Sequence, residues 1–313
     1  MEKKNRICAY KGDPVVPGVN KKKNGINFAV EVSGDTEASL VLYRKGAAEP
    51  ETEFPFTEEY RTGRMCAMLV TGLRPERYEY NFRIDGKIVQ DPFACVIRGR
   101  EKFGAPLSKD EHEVRCAFLS EKEYDWEGDT APEIPYSEMI LYKIHVRGYT
   151  RQAKLALRKR GTFAGLTEMI PYWKELGINA VELMPAYEFQ ECVQADYAVN
   201  LAVRKKSDDR INYWGYTRGF YFAPKESYCA TKEPDREFRD MIRALHKAGI
   251  ECIMEMYFPK GTPSLQMIRS LWFWKLYYHV DGFHLLGDGV QQDVIERDPI
   301  LYGTKKLFSN VSG

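Results

Sequence analysis

The sequence predicts an all-β sandwich followed by an α/β region that forms part of a (β/α)8 TIM barrel. Three patterns predict this: short alternating strands in residues 1–107, a polar linker over 108–137, and strands alternating with helices from 138 to 313. In the first region Gly25-Ile26-Asn27-Phe28-Ala29-Val30 and Ala38-Ser39-Leu40-Val41-Leu42-Tyr43 alternate. Tyr78 to Ile84 set aromatic and aliphatic residues on one face and polar ones on the other. That run ends at Asp85-Gly86, a two-residue hairpin signal. Gly, Pro and Asp turns between such strands suit a small sandwich. The polar stretches SKDEHE and EKEYDWEGDTAPEIP read as a connector.

After the connector the period changes. Met139 to Tyr142 opens an apolar strand. Leu166, Met169, Ile170, Trp173 and Leu176 then recur at helical steps and stop at Gly177, a C-cap glycine. Ala180 to Met184 is the next strand. Phe238, Met241, Ile242, Leu245 and Ala248 mark a helix closed by Gly249, before the strand Cys252 to Tyr257. A helix over Ser264 to His279 leads into Val280 to Leu285, and Lys305 to Phe308 makes a fifth strand. Strands and helices in this alternation imply parallel βαβ units. A closed eight-stranded barrel takes about 250 residues, more than 138–313 offers. Five strands alone leave two bare edges. The expectation is a piece of a longer polypeptide, or a barrel that something else completes.

Composition narrows the function. Lys plus Arg (46) balance Asp plus Glu (45), so a nucleic-acid partner, which calls for a basic excess, is not expected. Neutral substrates fit better. No apolar stretch reaches 18 residues and the N-terminus has no apolar h-region, so neither a membrane nor secretion is expected. Seven scattered cysteines without a C-x-x-C pair suggest reduced thiols and a cytoplasmic setting. The five histidines show no metal-ligand spacing, and neither a metal nor another cofactor is expected.

Six segments in register carry a family resemblance. They are LYKIHVRGYT (Leu141 to Thr150), GTFAGLTEMIPYWKELGINAVELMPAYEF (Gly161 to Phe189), NYWGY with FAP and Tyr228, EFRDMIRALHKAGIECIMEMYF (Glu237 to Phe258), VDGFHLLGD (Val280 to Asp288) and DPILYGTKKLF (Asp298 to Phe308). Together they resemble the glycogen-debranching and pullulanase-like branch of glycoside hydrolase family 13, the α-amylase superfamily. GINFAV and YEYNFRIDG with DPFA resemble the starch-binding-type module ahead of such barrels. The resemblance implies an active site at the C-terminal ends of the strands and hydrolysis of α-glucosidic bonds with retention. That mechanism needs a carboxylate nucleophile and a carboxylic acid about 5–5.5 Å apart.

The same resemblance implies that those groups are missing. The family nucleophile lies in Gly-Phe-Arg-Phe-Asp, and the matching residues here are Gly282-Phe283-His284-Leu285-Leu286. Leu286 has no lone pair with which to attack an anomeric carbon, and His284 replaces the arginine. Counting from Asp298-Pro299 through Thr304-Lys305 puts Ser309 at the acid/base position. A serine hydroxyl is too weak an acid for that task. The third strand, which should close with Asp…Asn-His, reads Glu255…Pro259-Lys260. No catalytic residue is therefore assigned, and Leu286, Ser309, His284 and Lys260 are degenerate positions. Asp288, between Gly287 and Gly289, is the one candidate for a displaced nucleophile.

Tyr216 matches the family tyrosine that stacks on sugar, and with Trp214 it is the candidate glycan contact. Tyr187 and Glu188 could line a groove. His145 and Glu182 read as structural, and Tyr78, Tyr80 and Phe82 as either core or glucan-binding. The leading expectation is an inactive relative that keeps α-glucan binding. The alternatives are an active debranching hydrolase with displaced carboxylates, and a remnant that recognises a protein partner.

Overall fold

The computed structural model describes residues 6–105, 110–120, 122–192 and 211–309. The chain divides into two compact units. One holds residues up to Gly99 together with Ser108–Glu123, and the other holds Arg100–Leu107 and Tyr124–Gly313.

The first unit is built from two antiparallel sheets. One runs Cys8–Lys11, Met65–Thr71, Gly25–Glu31, Gly18–Lys22, and the other Val96–Arg98, Arg115–Ala117, Tyr78–Ile84, Ala38–Arg44, Thr52–Pro55. Alternation puts Phe28 of one sheet against Tyr80 of the other, edge to face at 5.2 Å. Tyr78, Tyr80 and Phe82 are all buried there, which assigns them to the core. The hairpin after Ile84 turns at Asp85 (φ 50°) and Gly86 (φ 73°), both left-handed as a type I′ turn requires. The unit boundary differs from the compositional one. Arg115–Ala117, inside the expected linker, is a strand paired with Tyr78–Ile84, whereas residues 100–105 belong to the second unit. Three residues are too few to show alternation.

The second unit carries five parallel strands: β1 (Leu141–Ile144), β2 (Ala180–Leu183), β3 (Glu251–Tyr257), β4 (Gly282–Leu286) and β5 (Lys305–Ser309), adjacent in chain order. Among the described residues β1 and β5 end the sheet. Short helices α1 (Val146–Thr150), α2 (Phe163–Thr167) and α3 (Ile170–Glu175) follow β1 and β2's approach, and longer ones, α4 (Pro234–Lys247) and α5 (Ser264–Tyr278), flank β3. The single helix expected over 166–176 is two. Pro171 sits in the first turn of α3, where its missing N–H and its ring break the ladder from α2. Helix α4 stops at Gly249 (φ 70°), whereas α5 stops at His279, a non-glycine held left-handed (φ 56°) and stacked 3.8 Å from Trp126. Phe163, Phe238, Trp274 and Tyr278 interlock between the helices. Among the described residues no helix is long and apolar enough to cross a membrane.

Candidate functional site

Leu286 and Ser309 close the C-terminal tips of β4 and β5. Parallel register sets Leu286 directly beside Ser309. Leu286 is buried at 3% exposure, and Ser309 is exposed at the end of its strand. Phe258 N–H donates to Leu286 O at 2.8 Å, and Gly289 N–H donates to Phe258 O at 2.8 Å, folding the following turn over the end of β3. Gly287 makes that turn at φ 96°, where a Cβ would lie 2.5 Å from Phe258 O. Asp288 points to solvent from this turn, and Lys260 is likewise exposed.

Below the tips, one polar residue from each of four strands meets on one face of the sheet. Lys143 of β1 ion-pairs with Glu255 of β3 and lies 3.5 Å from Glu182 of β2. His284 of β4 places Nδ1 2.8 Å from Glu182 Oε1 and 3.8 Å from Glu255 Oε1. Its Nε2 lies 2.7 Å from Ser309 Oγ. Tyr216 donates its hydroxyl to Glu255 Oε2 at 2.8 Å. Burial pushes the Glu255 carboxyl up, and the hydrogen bond shared with Glu182 pushes it further. Burial would also raise Glu182, but hydrogen bonds to His284 and Glu255 hold it below the usual carboxylate range. Both acids are almost fully buried (Glu182 3%, Glu255 0%), with no gap for a sugar between them.

Spacing along the chain gave no hint of one grouping. Glu182, Glu255 and His284 bring ligand-type atoms within 4.8 Å of one another. The Lys143 ammonium already supplies a positive charge to both carboxylates, so a cation there would have to displace it. A sequence signal existed for this cluster. Lys143, Glu182, Glu255 and His284 are each a polar residue set between apolar ones in successive strands.

The remaining candidates separate. Burial and the Glu255 charge push the Tyr216 hydroxyl up to about 12. The Trp214 ring is 52% exposed and stands edge-on to His145 at 5.7 Å. His145 is satisfied on both nitrogens: Nδ1 accepts from Gly148 N–H at 2.9 Å and caps α1, and Nε2 donates to Tyr213 O at 2.9 Å. Tyr187 and Glu188 do not line a groove. Both are buried, and Glu188 bonds the fully buried Lys225 at 3.0 Å, where Glu191 also lies 2.8 Å away.

Comparison with known proteins places this arrangement. No family profile matches the chain. Over 282 residues it is 30% identical to isoamylase 1, chloroplastic, of Arabidopsis thaliana, covering 81% of this chain and 35% of that protein. It is 31% identical to the glycogen operon protein GlgX homolog of Haemophilus influenzae (82% and 40% covered) and 32% identical to the glycogen debranching enzyme of Dickeya chrysanthemi (79% and 39%). The chain belongs to the glycogen-debranching branch of the α-amylase superfamily. It spans between 35% and 40% of the length of these three relatives. Among solved structures, apo pullulanase of Paenibacillus barengoltzii superposes with a TM-score of 0.65 at 20% identity, over 88% of this chain and 48% of that one. The Group B Streptococcus pullulanase SAP gives 0.67 at 17%, over 96% and 46%. These two establish the fold of this α-amylase-superfamily chain.

Proposed function

We propose that this chain does not cleave α-glucosidic bonds and that it keeps α-glucan as a ligand. The supporting observation is the pairing of Leu286 with Ser309 at the tips of β4 and β5. A retaining mechanism needs two carboxyl groups there, on either side of the glycosidic oxygen. Loss of the nucleophile costs on the order of 10⁶ in rate. Glu182 and Glu255 cannot replace the missing pair, because they are buried, share a hydrogen bond and are tied to Lys143, His284 and Tyr216.

Glycan binding is supported by the exposed Trp214 ring, which stands edge-on to His145. Solved pullulanases with this fold are complexed with maltotriose, and with maltohexaose and α-cyclodextrin. In this reading the five-stranded arc is the front of an eight-stranded barrel. The seven cysteines, all among the described residues, form no disulfide, which suits a reducing, cytoplasmic compartment.

Pull-down on insoluble starch and glycogen, followed by maltooligosaccharide titration, tests the binding half. Saturable retention is expected. Failure to bind either polymer or any oligosaccharide would leave recognition of a protein partner as the better description.

A further inference from the structure

The residues that replace the glycosidase groups are joined in a different chemical order. Ser309 Oγ lies 2.7 Å from His284 Nε2, and His284 Nδ1 lies 2.8 Å from Glu182 Oε1. Hydroxyl, imidazole and carboxylate thus follow one another at hydrogen-bond distance, as nucleophile, base and orienting acid do in acyl-transfer enzymes. We propose that Ser309, His284 and Glu182 form a nucleophilic triad that cleaves carboxylic esters through a serine acyl-enzyme. This goes beyond glucan binding and does not depend on it.

The tautomer follows from the donors available. A Glu182 carboxylate can only accept, so His284 Nδ1 carries the proton and its Nε2 lone pair faces the Ser309 hydroxyl. Hydrogen bonds to His284 and Glu255 favour that ionised form of Glu182 against its burial. Exposure is graded in the useful direction: Ser309 is exposed, the His284 side chain is 15% exposed, and that of Glu182 is 5% exposed. The three residues stand on β5, β4 and β2 of one parallel sheet, and strands hold side chains more firmly than loops do. Phe283 and Leu285, both buried, fix the His284 backbone on either side.

In the reaction, Ser309 Oγ adds to the ester carbonyl carbon as its proton passes to His284 Nε2. The bond from that carbon to the alkoxy oxygen breaks, and the alcohol leaves with the proton from Nε2. Water, deprotonated by the same nitrogen, then attacks the acyl group, releasing the acid and restoring Ser309. The sum is ester plus water to acid plus alcohol.

Ser309 is the nucleophile, and Glu182 is a positioning residue acting through His284. The whole chain is treated with an alkyl fluorophosphonate and, separately, with p-nitrophenyl acetate. One phosphonyl adduct per chain is expected, mapping to Ser309 by peptide mass spectrometry and absent in Ser309→Ala. His284→Gln should slow both reactions by roughly 10³-fold or more. Glu182→Gln should lower the plateau of the labelling rate and move its rising limb to lower pH, which loss of packing alone would not do. Because Glu182 is buried and its variant can misfold, Ser309→Cys gives an independent reading. Its thiol should react with iodoacetamide faster than free cysteine at the same pH, and that advantage should vanish in the Ser309→Cys, His284→Gln double variant. The proposal is overturned by the absence of a Ser309 adduct under conditions that label a control serine esterase. It is equally overturned by labelling that His284→Gln leaves unchanged. Labelling is scored separately from starch retention, so either proposal can fail alone.

Discussion

Lys143→Met removes the cation that faces both buried carboxylates in the cluster. Glu255 is wholly buried and Glu182 is 3% exposed, so in the variant one stays buried beside the other with only His284 and Tyr216 to compensate. Breaking a fully buried ion pair by deleting one partner costs about 3–5 kcal/mol. The Lys143 side chain is 45% exposed, so solvent screens part of its attraction, and the expected loss is about 2–3 kcal/mol at pH 8.5. The loss should shrink at pH 5.5. Glu255 is raised by burial and by Glu182, and without Lys143 it takes up a proton more readily, relieving the repulsion. Intrinsic fluorescence is a clean assay, because all five tryptophans (126, 173, 214, 272 and 274) lie in the α/β unit. The midpoint should fall by about 5–10 °C at pH 8.5 and by less than half of that at pH 5.5. An equal shift at both pH values, or none, would refute the assignment of Lys143 as the counter-charge.

Further outcomes follow from other residues of the second unit. His246 is buried between Asp129 and Asp281, with both ring nitrogens 3.0 Å from carboxylate oxygens, so both must carry protons. Burial alone would lower its pKa, but hydrogen bonds to Asp281 and then Asp129 raise it above the ordinary value. A raised histidine gives its full stabilisation below pH about 6.5 and loses it as pH climbs through the folded value. The melting midpoint should therefore fall from pH 6 towards 9, and His246→Gln should flatten that slope. Tyr216→Phe strips a hydrogen bond from Glu255 Oε2 and should cost about 1–2 kcal/mol in urea titration, whereas Trp214→Ala, at an exposed ring, should move stability by less than about 0.5 kcal/mol while weakening maltooligosaccharide binding. Gly287→Ala should cost about 1–3 kcal/mol, since φ is 96° and its Cβ would press on Phe258 O.

Much of the architecture was legible because local pattern and tertiary role agree. Strand β3 is apolar enough, and α4 periodic enough, that neither needed the fold to be recognised. Two local features were misread, each for a physical reason. Pro171 overrode a helical period that runs on through it, and Arg115–Ala117 paired although it lies in a stretch whose overall composition is polar. The site was only half legible. Register against the family singled out Leu286 and Ser309, but not the hydrogen bond of Ser309, since that depends on His284 reaching across from the neighbouring strand. Glu182 looked structural because a mid-strand acid has no visible partner until four strands align. Tyr187 and Glu188 looked like cleft residues from their place after β2. Glu188 is buried in an ion pair with Lys225 and Tyr187 against the Tyr221 ring, each more than thirty residues on, partners that no local pattern signals.

Release of reducing ends from pullulan, glycogen and amylopectin by the purified chain tests the proposed loss of glycosidase chemistry most directly. With a hydrocarbon at 286 and a hydroxyl at 309, release should stay at the no-protein baseline through long incubation. Release that grows with protein concentration would contradict it, and if Asp288→Ala abolished that release, the exposed turn after β4 would be the displaced nucleophile.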